Sequence, residues 1–376
     1  MNFKFVVKEI LPQLIQVASV VKSKNTLPIL DDVLFSMNQD NVVMLTASDG
    51  ETWLSMKANL IECDDAFTFC INARNIVSAL KNLGENTIVT CRMEEPRNIR
   101  IEYVNGFVNL PYDDSNEFPK ASEIGGDYEQ RTIRARNLSN AISSVMFAIG
   151  EDDLRPVLNG VYLNFEGDSM SSVGTDGQKL AVLTDKNVGE VGNCGFIFPK
   201  KPALTLVSLI EKCNDDEMVK IVFNDSFITI SKVDFKISAR LVEGRYPNYK
   251  SVIPQENDLV AKIEKEKLIS CLKRIMPFGN EKSCLVSLNF TNDSITVSSE
   301  NVDFSTSATE KIPCEFNNDS FVIGFNGNML AQSISNLQCD NFLFKMKTQS
   351  NAALIEPEND IENITYKSII MPMLLN

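Results

Sequence analysis

The fold is decided by Ile71-Asn72-Ala73-Arg74-Asn75-Ile76, a short apolar strand that runs into a helix. Two similar stretches follow at equal intervals of 127 residues, namely Phe198-Pro199-Lys200-Lys201-Pro202-Ala203 and Phe325-Asn326-Gly327-Asn328-Met329-Leu330. Asn72 and Asn326 hold matching positions in the first and third stretches. A chain of 376 residues accommodates three copies of a unit of this length, which is a common domain size. We therefore predict three similar domains, over residues 1–125, 126–254 and 255–376.

Tight turns repeat at the same interval. Asp49-Gly50 and Asp176-Gly177 are also 127 residues apart, and Asp-Gly between alternating segments is typical of a β-hairpin. The third copy carries Glu300-Asn301 near the equivalent position, which is a weaker match. The turns thus support the repeat most clearly in the first two copies.

Each copy combines two helical segments with short alternating strands. Helical spacing of apolar residues predicts one helix per copy, over Lys8–Val21, Ala135–Ile149 and Lys265–Met276, and the three stretches above begin the second. Alternation predicts strands that include Val42–Thr46, Ile88–Cys91, Ile99–Tyr103, Ile228–Ser231, Phe235–Leu241 and Ile295–Val297. Two polar segments, Glu117–Gln130 and Pro247–Asp258, have the composition of linkers. The predicted class is α+β, with antiparallel sheets.

Composition excludes several kinds of chemistry. Histidine is absent, which removes Ser-His-Asp and Cys-His nucleophiles and every His-ligated metal site. Nine cysteines show no C-x-x-C spacing, so we expect buried thiols in a reducing compartment, with no metal and no cofactor. The N-terminus lacks a signal-peptide pattern and no apolar run approaches ~18 residues, so we expect a cytoplasmic protein without a membrane partner.

Positive charge is concentrated in the helical segments. The chain carries 36 basic and 50 acidic residues, for a net charge of −14. The six helix-bearing segments nevertheless hold 18 basic and 5 acidic residues, over 4–24, 70–84, 131–149, 196–213, 260–282 and 321–339. Helices favour Lys and Arg in general, but Glu is an equally good helix former and is scarce here. The pattern favours a helix-lined positive surface that contacts phosphates without reading bases.

Several motifs together resemble the bacterial beta sliding clamps, the beta subunits of the replicative DNA polymerase. They include Thr26-Leu27-Pro28-Ile29-Leu30, Gly174–Val182, Leu241–Tyr249 and Met371-Pro372-Met373-Leu374. The resemblance implies a head-to-tail homodimeric ring of the DNA-clamp fold, with helices around the hole, sheets outside and edge strands pairing between copies. It also implies a processivity factor without catalytic residues, which encircles duplex DNA of any sequence and tethers the replicative polymerase, the clamp loader and repair proteins.

The resemblance assigns three groups of residues. The groove for partner peptides would comprise Leu158, Thr175, Gly177, Gln178, Lys179, Leu180, Pro247, Val252, Asn326, Met329, Met371, Pro372, Met373 and Leu374. The DNA-facing surface would comprise Lys24, Arg155, Lys200 and Lys201, and helix position adds Arg74, Arg134, Arg136, Lys273 and Arg274. The dimer interface would include Phe107, Val108 and Phe278. Gln178-Lys179 replace a common His-Arg pair and Met329 replaces an aromatic residue, which implies a different partner preference.

Two other functions are consistent with parts of the sequence. A metal-dependent phosphoesterase would use paired carboxylates, such as Asp31-Asp32, Asp113-Asp114, Asp152-Asp153 and Asp215-Asp216. An acidic module that mimics DNA would bind basic proteins and would have no positive face. The basic helical segments argue against the second alternative, and adjacent carboxylates are more typical of solvated turns.

Overall fold

The computed structural model describes residues 1–189, 192–211 and 213–375. Contacts within the chain divide it into two compact units. The first unit contains residues 1–133 and 217–241, and the second contains residues 134–216 and 242–376. Each unit combines short helices with antiparallel sheets, which confirms the predicted α+β class.

The described residues form six α-helices of about two to three turns. They are α1 (Val7–Ala18), α2 (Ala73–Leu80), α3 (Ala135–Met146), α4 (Lys200–Ile210), α5 (Lys265–Ile275) and α6 (Gly327–Ser335). All six fall on predicted helical segments, and the predicted ends of α1 and α3 extend up to three residues too far. In α1, the buried residues Ile10, Leu14 and Val17 form the expected apolar face.

Strands account for most of the remaining regular structure. In residues 1–134 they are β1 (Asn2–Val6), β2 (Asp32–Met37), β3 (Val42–Ser48), β4 (Thr52–Asn59), β5 (Glu62–Cys63), β6 (Thr68–Asn72), β7 (Ile88–Glu94), β8 (Asn98–Tyr103), β9 (Gly106–Pro111) and β10 (Glu129–Arg134). In residues 160–240 they are β11 (Gly160–Glu166), β12 (Ser169–Thr175), β13 (Lys179–Asp185), β14 (Cys194–Pro199), β15 (Met218–Phe223), β16 (Phe227–Ser231) and β17 (Phe235–Arg240). Beyond these lie β18 (Leu259–Glu264), β19 (Leu285–Thr291), β20 (Ser294–Asn301), β21 (Thr306–Pro313), β22 (Glu315–Phe316), β23 (Phe321–Asn326), β24 (Asn341–Met346), β25 (Ala353–Pro357) and β26 (Ile364–Ile370).

The first unit contains two sheets. One has the strand order β5-β1-β7-β8-β9, and the other has the order β10-β15-β16-β17-β4-β3-β2-β6. Within the second sheet β4 pairs with β17, so that Leu54 lies opposite Ile237. This pairing explains why residues 217–241 belong to the first unit although they lie far along the chain.

The second unit also contains two sheets. The larger has the order β14-β11-β12-β13-β26-β25-β24-β18-β22, and the smaller has the order β21-β20-β19-β23. β13 pairs with β26 along its whole length, from Lys179 opposite Ile370 to Asp185 opposite Ile364. The last strand of the chain is therefore joined directly to the strand that follows the Asp176-Gly177 turn.

The sequence repeat has a physical counterpart at the helix starts. The side chain of Asn72 accepts a hydrogen bond from the amide of Asn75 at the start of α2. Asn326 accepts in the same way from the amide of Met329 at the start of α6. Asparagine is a preferred residue at this position because its oxygen satisfies an amide that the helix leaves unpaired.

The predicted turns form in the first two copies and shift in the third. Gly50 joins β3 to β4 and Gly177 joins β12 to β13, with φ angles of 87° and 92° that favour glycine. Glu300-Asn301 is not a turn, since both residues end β20, and the chain reverses over residues 302–305 instead. The weaker sequence match in the third copy thus reflects a longer strand.

The two polar segments predicted as linkers pack against the cores. Phe118 is buried with Trp53 and Cys70, and the indole Nε1 of Trp53 donates to the carbonyl of Pro119 at 2.9 Å. Tyr249, inside the second segment, is also buried. Four of the nine cysteines are buried and five are half-buried, so the prediction of buried thiols holds only in part.

Candidate partner groove and charged surfaces

The C-terminal residues link two parts of the second unit. The amide of Met371 donates to the carbonyl of Gln178 at 2.9 Å, beside the turn between β12 and β13. Two residues later, the amide of Met373 donates to the carbonyl of Gly324 on β23, at 2.8 Å. The tail, defined here as Met371–Leu375, thus extends from that turn to the edge of the smaller sheet.

The turn itself is held by local hydrogen bonds. Thr175 Oγ1 accepts from the amide of Gly177 at 3.1 Å and donates to the carbonyl of Lys179 at 2.7 Å. The carboxylate of Asp176 accepts from the amides of Gln178 and Lys179. It also binds the Lys179 ammonium at 2.6 Å, and the Lys179 side chain is 9% exposed. The structure therefore keeps Gln178 exposed but leaves little of the Lys179 charge for a partner.

An apolar floor lies behind the turn. Leu158 and Leu180, two of the predicted groove residues, are buried in one cluster with Tyr246, Leu354 and Ile369. Several other predicted groove residues are more exposed. Val252 is 59% exposed, Met371 47% and Leu374 80%, while Pro372 and Met373 are half-buried and Pro247 is exposed. Exposed apolar side chains together with a buried apolar floor can bind apolar side chains of a peptide.

Asn326 and Met329 lie at the other end of the tail. Asn326 ends β23, two residues after Gly324, and its side-chain amide donates to the carbonyl of Ser283 at 3.1 Å. Its oxygen caps α6 through the amide of Met329, and both residues are half-buried. Asn326 thus has a structural role as the cap of α6. The tail connects this region to the turn between β12 and β13, through the bonds of Met373 to Gly324 and of Met371 to Gln178.

Arg155 connects the turn to a charged loop. A Cβ built on Gly177 would lie 2.9 Å from Nη1 of Arg155, so the guanidinium rests against the glycine. Nε of the same guanidinium donates to Oδ2 of Asp152 at 2.9 Å. A residue predicted to face DNA therefore also borders the predicted groove.

Four of the predicted DNA-facing cations bind carboxylates of the second unit. Arg155 binds Asp152 at 2.9 Å, Arg136 binds Asp215 at 2.5 Å, Arg274 binds Glu310 at 2.5 Å, and Lys200 binds Glu151. Lys200 is the first residue of α4, where the helix dipole disfavours a cation and favours the nearby carboxylate. The remaining residues of this group in the second unit, Arg134, Lys201 and Lys273, are exposed.

The ion pairs of Lys200 and Arg155 contribute to a lower pKa of their carboxylates. The hydrogen bond from Lys200 lowers the pKa of Glu151. The amide of Leu154, followed by the Arg155 guanidinium, lowers the pKa of Asp152. Both carboxylates are therefore charged at neutral pH, when they compete with any other anion for the two cations.

The first unit has its own basic cleft. A cavity of about 810 Å³ lies beside the packed helices α1 and α2, and its lining includes Lys22, Arg74, Lys81 and Asp31. Arg74 is exposed in this cleft, and Lys24 is exposed in the loop after α1. Lys22 and Lys81 were not among the predicted residues, although both belong to the basic segments that the charge count identified.

The predicted interface residues lie at or beside the edges of sheets. Phe107 and Val108 belong to β9, the last strand of the five-stranded sheet, and Phe107 is 52% exposed under the guanidinium of Arg100. Phe278 is 47% exposed, and its carbonyl accepts from Thr306 Oγ1 on β21, the outer strand of the four-stranded sheet. An unpaired edge strand flanked by an exposed aromatic residue is suited to pairing with another chain.

Sequence reasoning missed several residues of these surfaces. Tyr246, Tyr249, Leu354 and Ile369 complete the apolar floor around Leu158, and only the first two lie in a motif that the resemblance used. Val302 and Phe304, just before β21, are 80% and 78% exposed. Apolar residues directly after the predicted Glu300-Asn301 turn were the available signal for the second pair.

The paired aspartates do not assemble into a metal site. In residues 1–189, 192–211 and 213–375, no three carboxylate or thiol side chains come together as a metal-binding group. Asp114 caps the turn that begins at Ser115, and Asp152 and Asp215 bind arginines. Burial, followed by the charge of Asp113, raises the pKa of Asp32 to about 7. The geometry offers no support for a carboxylate-metal phosphoesterase.

Comparisons with known proteins identify the family. Models for the three domains of the DNA polymerase III beta subunit match in order, the N-terminal domain over 1–122, the central domain over 132–248 and the C-terminal domain over 250–374. The beta sliding clamps of Pseudomonas aeruginosa and Haemophilus influenzae are 27% and 25% identical to this chain, with complete coverage of both proteins in each case.

Solved structures agree with this assignment. The sliding clamp of Pseudomonas aeruginosa, crystallised with griselimycin, superposes with a TM-score of 0.93 at 26% identity, and each chain is covered completely. The beta subunit of Thermotoga maritima shares the fold, with a TM-score of 0.89 at 19% identity. The predicted three-domain clamp fold is thereby confirmed. Among the described residues, no helix has the length and apolar character needed to cross a membrane. The chain belongs to the DNA polymerase III beta subunit family, the beta sliding clamps, which are non-enzymatic processivity factors of DNA replication.

Proposed function

We propose that this chain closes head to tail with a second copy into a ring around duplex DNA, with domains over residues 1–125, 126–254 and 255–376. The ring then tethers the replicative polymerase, the clamp loader and repair proteins. The observation that carries the proposal is the ordered match of the chain to all three clamp domains. A tethered polymerase stays at high effective concentration near the primer end, and the ring needs no tight contact with DNA because encirclement prevents its escape.

The cations assigned to the DNA-facing surface are the proposed contacts with phosphate. They are Lys24, Arg74, Arg134, Arg136, Arg155, Lys200, Lys201, Lys273 and Arg274. Contacts of this kind do not depend on base sequence, as sliding requires. Lys22 and Lys81 join the group because they line the same cleft as Arg74.

The tail, the Thr175–Lys179 turn and the apolar floor form the proposed partner groove. The two hydrogen bonds of the tail support this assignment, because they join residues that the resemblance assigned from distant parts of the chain. Leu158 and Leu180 provide the buried floor, and Val252, Met371 and Leu374 provide exposed apolar contacts. Methionine suits a surface that binds several partners, because its flexible side chain can repack. We expect peptides that end in bulky apolar residues to bind here.

The two edge strands are the proposed dimer contact. β9 with Phe107 and Val108 would pair with β21 beside Phe278 in the second copy. A head-to-tail contact between different surfaces closes into a ring only if the rotation between copies completes the circle. Pairing would also bury two exposed strand edges, which otherwise promote aggregation.

Topology provides the decisive test of the ring. The protein is loaded on nicked circular DNA with a bacterial clamp loader, free protein is removed, and the circle is then cut once. We expect the protein to remain on circles at high salt and to leave after the cut. Loss from intact circles at moderate salt, in a reaction where a control clamp stays loaded, would contradict encirclement and indicate electrostatic binding alone.

The proposed function implies where the protein acts, and the basic cleft argues against an acidic module that mimics DNA. A clamp works on the chromosome, so we infer that the protein acts in the bacterial cytoplasm. An acidic module that mimics DNA would lack a positive cleft, whereas Lys22, Arg74 and Lys81 line one here.

A further inference from the structure

Two adjacent carboxylates, Glu151 and Asp152, each bind a cation that is assigned to DNA. Glu151 binds the ammonium of Lys200, and Oδ2 of Asp152 accepts from Nε of Arg155 at 2.9 Å. The next residue, Asp153, is exposed and no ion pair joins it to another described residue. One short loop therefore neutralises its own Arg155 and Lys200 at the start of α4.

The loop is built to hold Asp152 in place. Asn159 fixes its backbone from both sides, since the Asp152 amide donates to Asn159 Oδ1 at 3.1 Å and Asn159 Nδ2 donates to the Asp152 carbonyl at 3.0 Å. Oδ1 of Asp152 accepts from the amide of Leu154 at 2.9 Å, which leaves Oδ2 for Arg155. The backbone contacts thus orient the Asp152 carboxylate independently of Arg155. The side chain therefore loses little further conformational entropy when it binds the guanidinium.

The same pairing recurs elsewhere in the second unit. Arg136 binds Asp215 in the loop after α4, and Arg274 binds Glu310 on β21. In each case an exposed cation of the proposed DNA-facing surface binds a carboxylate from a different element. A carboxylate offers the guanidinium the same paired acceptors that a phosphate would offer. DNA can therefore reach these cations only by exchanging one anion for another.

We propose that Glu151 and Asp152 act as internal competitors of the DNA phosphates and thereby limit how tightly the ring holds DNA. The inference rests on the proposed DNA-facing role of Lys200 and Arg155. When a phosphate approaches, the carboxylate gives up its cation and repels the incoming anion, so part of the attraction is cancelled. A ring held by encirclement loses nothing from weak contacts and slides with less friction. Glu151 and Asp152 are positioning residues in this scheme, since they act on DNA only through the two cations.

The test compares amide variants of the full-length protein. E151Q/D152N removes both competing charges and keeps the side-chain oxygen that accepts from Leu154. D153N is the matched control, because it removes one charge at the adjacent exposed position without freeing a cation. Binding to a short labelled linear duplex is measured by fluorescence anisotropy across a range of salt concentrations. We expect E151Q/D152N to bind about three- to tenfold more tightly than wild type at low salt, whereas D153N gains less than about twofold.

A third variant separates this inference from the proposed function. R155Q/K200Q should weaken duplex binding and flatten its salt dependence. If R155Q/K200Q binds as wild type does, the two cations do not contact DNA and the inference falls with that assignment. A second outcome is that R155Q/K200Q binds the duplex more weakly while the affinity of E151Q/D152N rises no more than that of D153N. In that case the cations contact DNA, but the proposed competition by Glu151 and Asp152 is wrong. Should the double amide variant fold poorly, E151Q alone serves, because the Glu151 side chain is 76% exposed and binds Lys200 at the start of α4.

Discussion

The guanidinium of Arg155 rests against Gly177, so that a Cβ on this glycine would lie 2.9 Å from Nη1. Gly177 also has a φ of 92°, a conformation that side chains rarely adopt. The turn of the proposed partner groove and the loop of the proposed DNA contacts therefore meet at one residue without a side chain. This contact makes Gly177 a sensitive point for both sites.

Gly177→Ala is expected to disturb the groove. The new methyl group forces Arg155 away and strains the turn, at a cost on the order of 1–3 kcal/mol. We expect a peptide that ends in bulky apolar residues to bind at least about fivefold more weakly, as measured by fluorescence anisotropy. The thermal midpoint should fall by a few degrees.

Gly167→Ala separates strain from contact in the same unit. Gly167 has a φ of 62°, and a Cβ there would meet nothing within 4 Å. We expect this variant to lose stability and to retain peptide affinity. Equal loss of affinity in the two variants would show that strain alone, and not displacement of Arg155, affects the groove.

Leu374→Ala tests the tail as part of the groove. Leu374 is 80% exposed, so truncation should leave the thermal midpoint unchanged within a degree. Covering a leucine side chain stabilises a complex by about 1.5–3 kcal/mol, so peptide affinity should fall by about fivefold or more. Ile361→Ala, a truncation at a residue that is 48% exposed, is the control and should leave affinity unchanged. An unaltered affinity for Leu374→Ala would remove this residue from the groove.

Phe107→Asp tests the edge strand β9 as the dimer contact. An unpaired charge in a buried interface is strongly unfavourable, and we expect the dimer dissociation constant to rise by about 100-fold or more. Sedimentation across a concentration series measures the change. Val233→Asp, at a position that is 85% exposed, should leave the dimer intact. A Phe107→Asp protein that remains dimeric at the wild-type concentration would place the interface elsewhere.

Asp32→Asn is expected to stabilise the protein at alkaline pH. Burial and the nearby charge of Asp113 raise the pKa of Asp32 to about 7, against a reference value of 3.8. Between pH 3.8 and about 7 the folded protein keeps a proton on Asp32 that the unfolded chain has released. The free energy of unfolding therefore falls as the pH rises through this range, and the loss is complete above about pH 7. At pH 8 the amide should raise the free energy of unfolding by on the order of 2 kcal/mol.

The pH dependence supplies the check on this prediction. Below about pH 4 the carboxyl is neutral in both states, so the advantage of the variant should disappear. Thermal midpoints of the two proteins, measured from pH 4 to pH 8, should diverge with increasing pH. Parallel curves would mean that Asp32 has an ordinary pKa in the folded protein.

The positions of helices and turns followed from local sequence. Asn72 and Asn326 precede helices because their side chains bond amides only three residues ahead, and Gly50 and Gly177 form turns because they accept positive φ. Such signals act over a few residues, so that spacing alone revealed the repeat. The third-copy turn was misplaced because Glu300 and Asn301 continue β20, where pairing with β21 outweighs local turn preference.

The partners in these ion pairs could not be predicted from the sequence. Arg136 meets Asp215 across 79 residues and Lys200 meets Glu151 across 49, so no local pattern indicated that these cations are neutralised. Counting charges identified the basic segments correctly and overestimated the positive charge available in the second unit. The distinction matters for DNA binding, because an engaged cation must be released before it meets a phosphate.

The sequence by itself determined the family, the α+β class and the placement of six helices, because composition, caps and periodicity are local properties. Tertiary structure alone decided that β4 joins β17, that β13 joins β26, and that Met371 and Met373 connect Gln178 to Gly324. Strand pairing satisfies backbone hydrogen bonds that carry no side-chain identity, so partners far apart in the chain leave little trace in the sequence. The apolar floor and the contact between Arg155 and Gly177 depend on those long-range pairings, and with them the proposed groove.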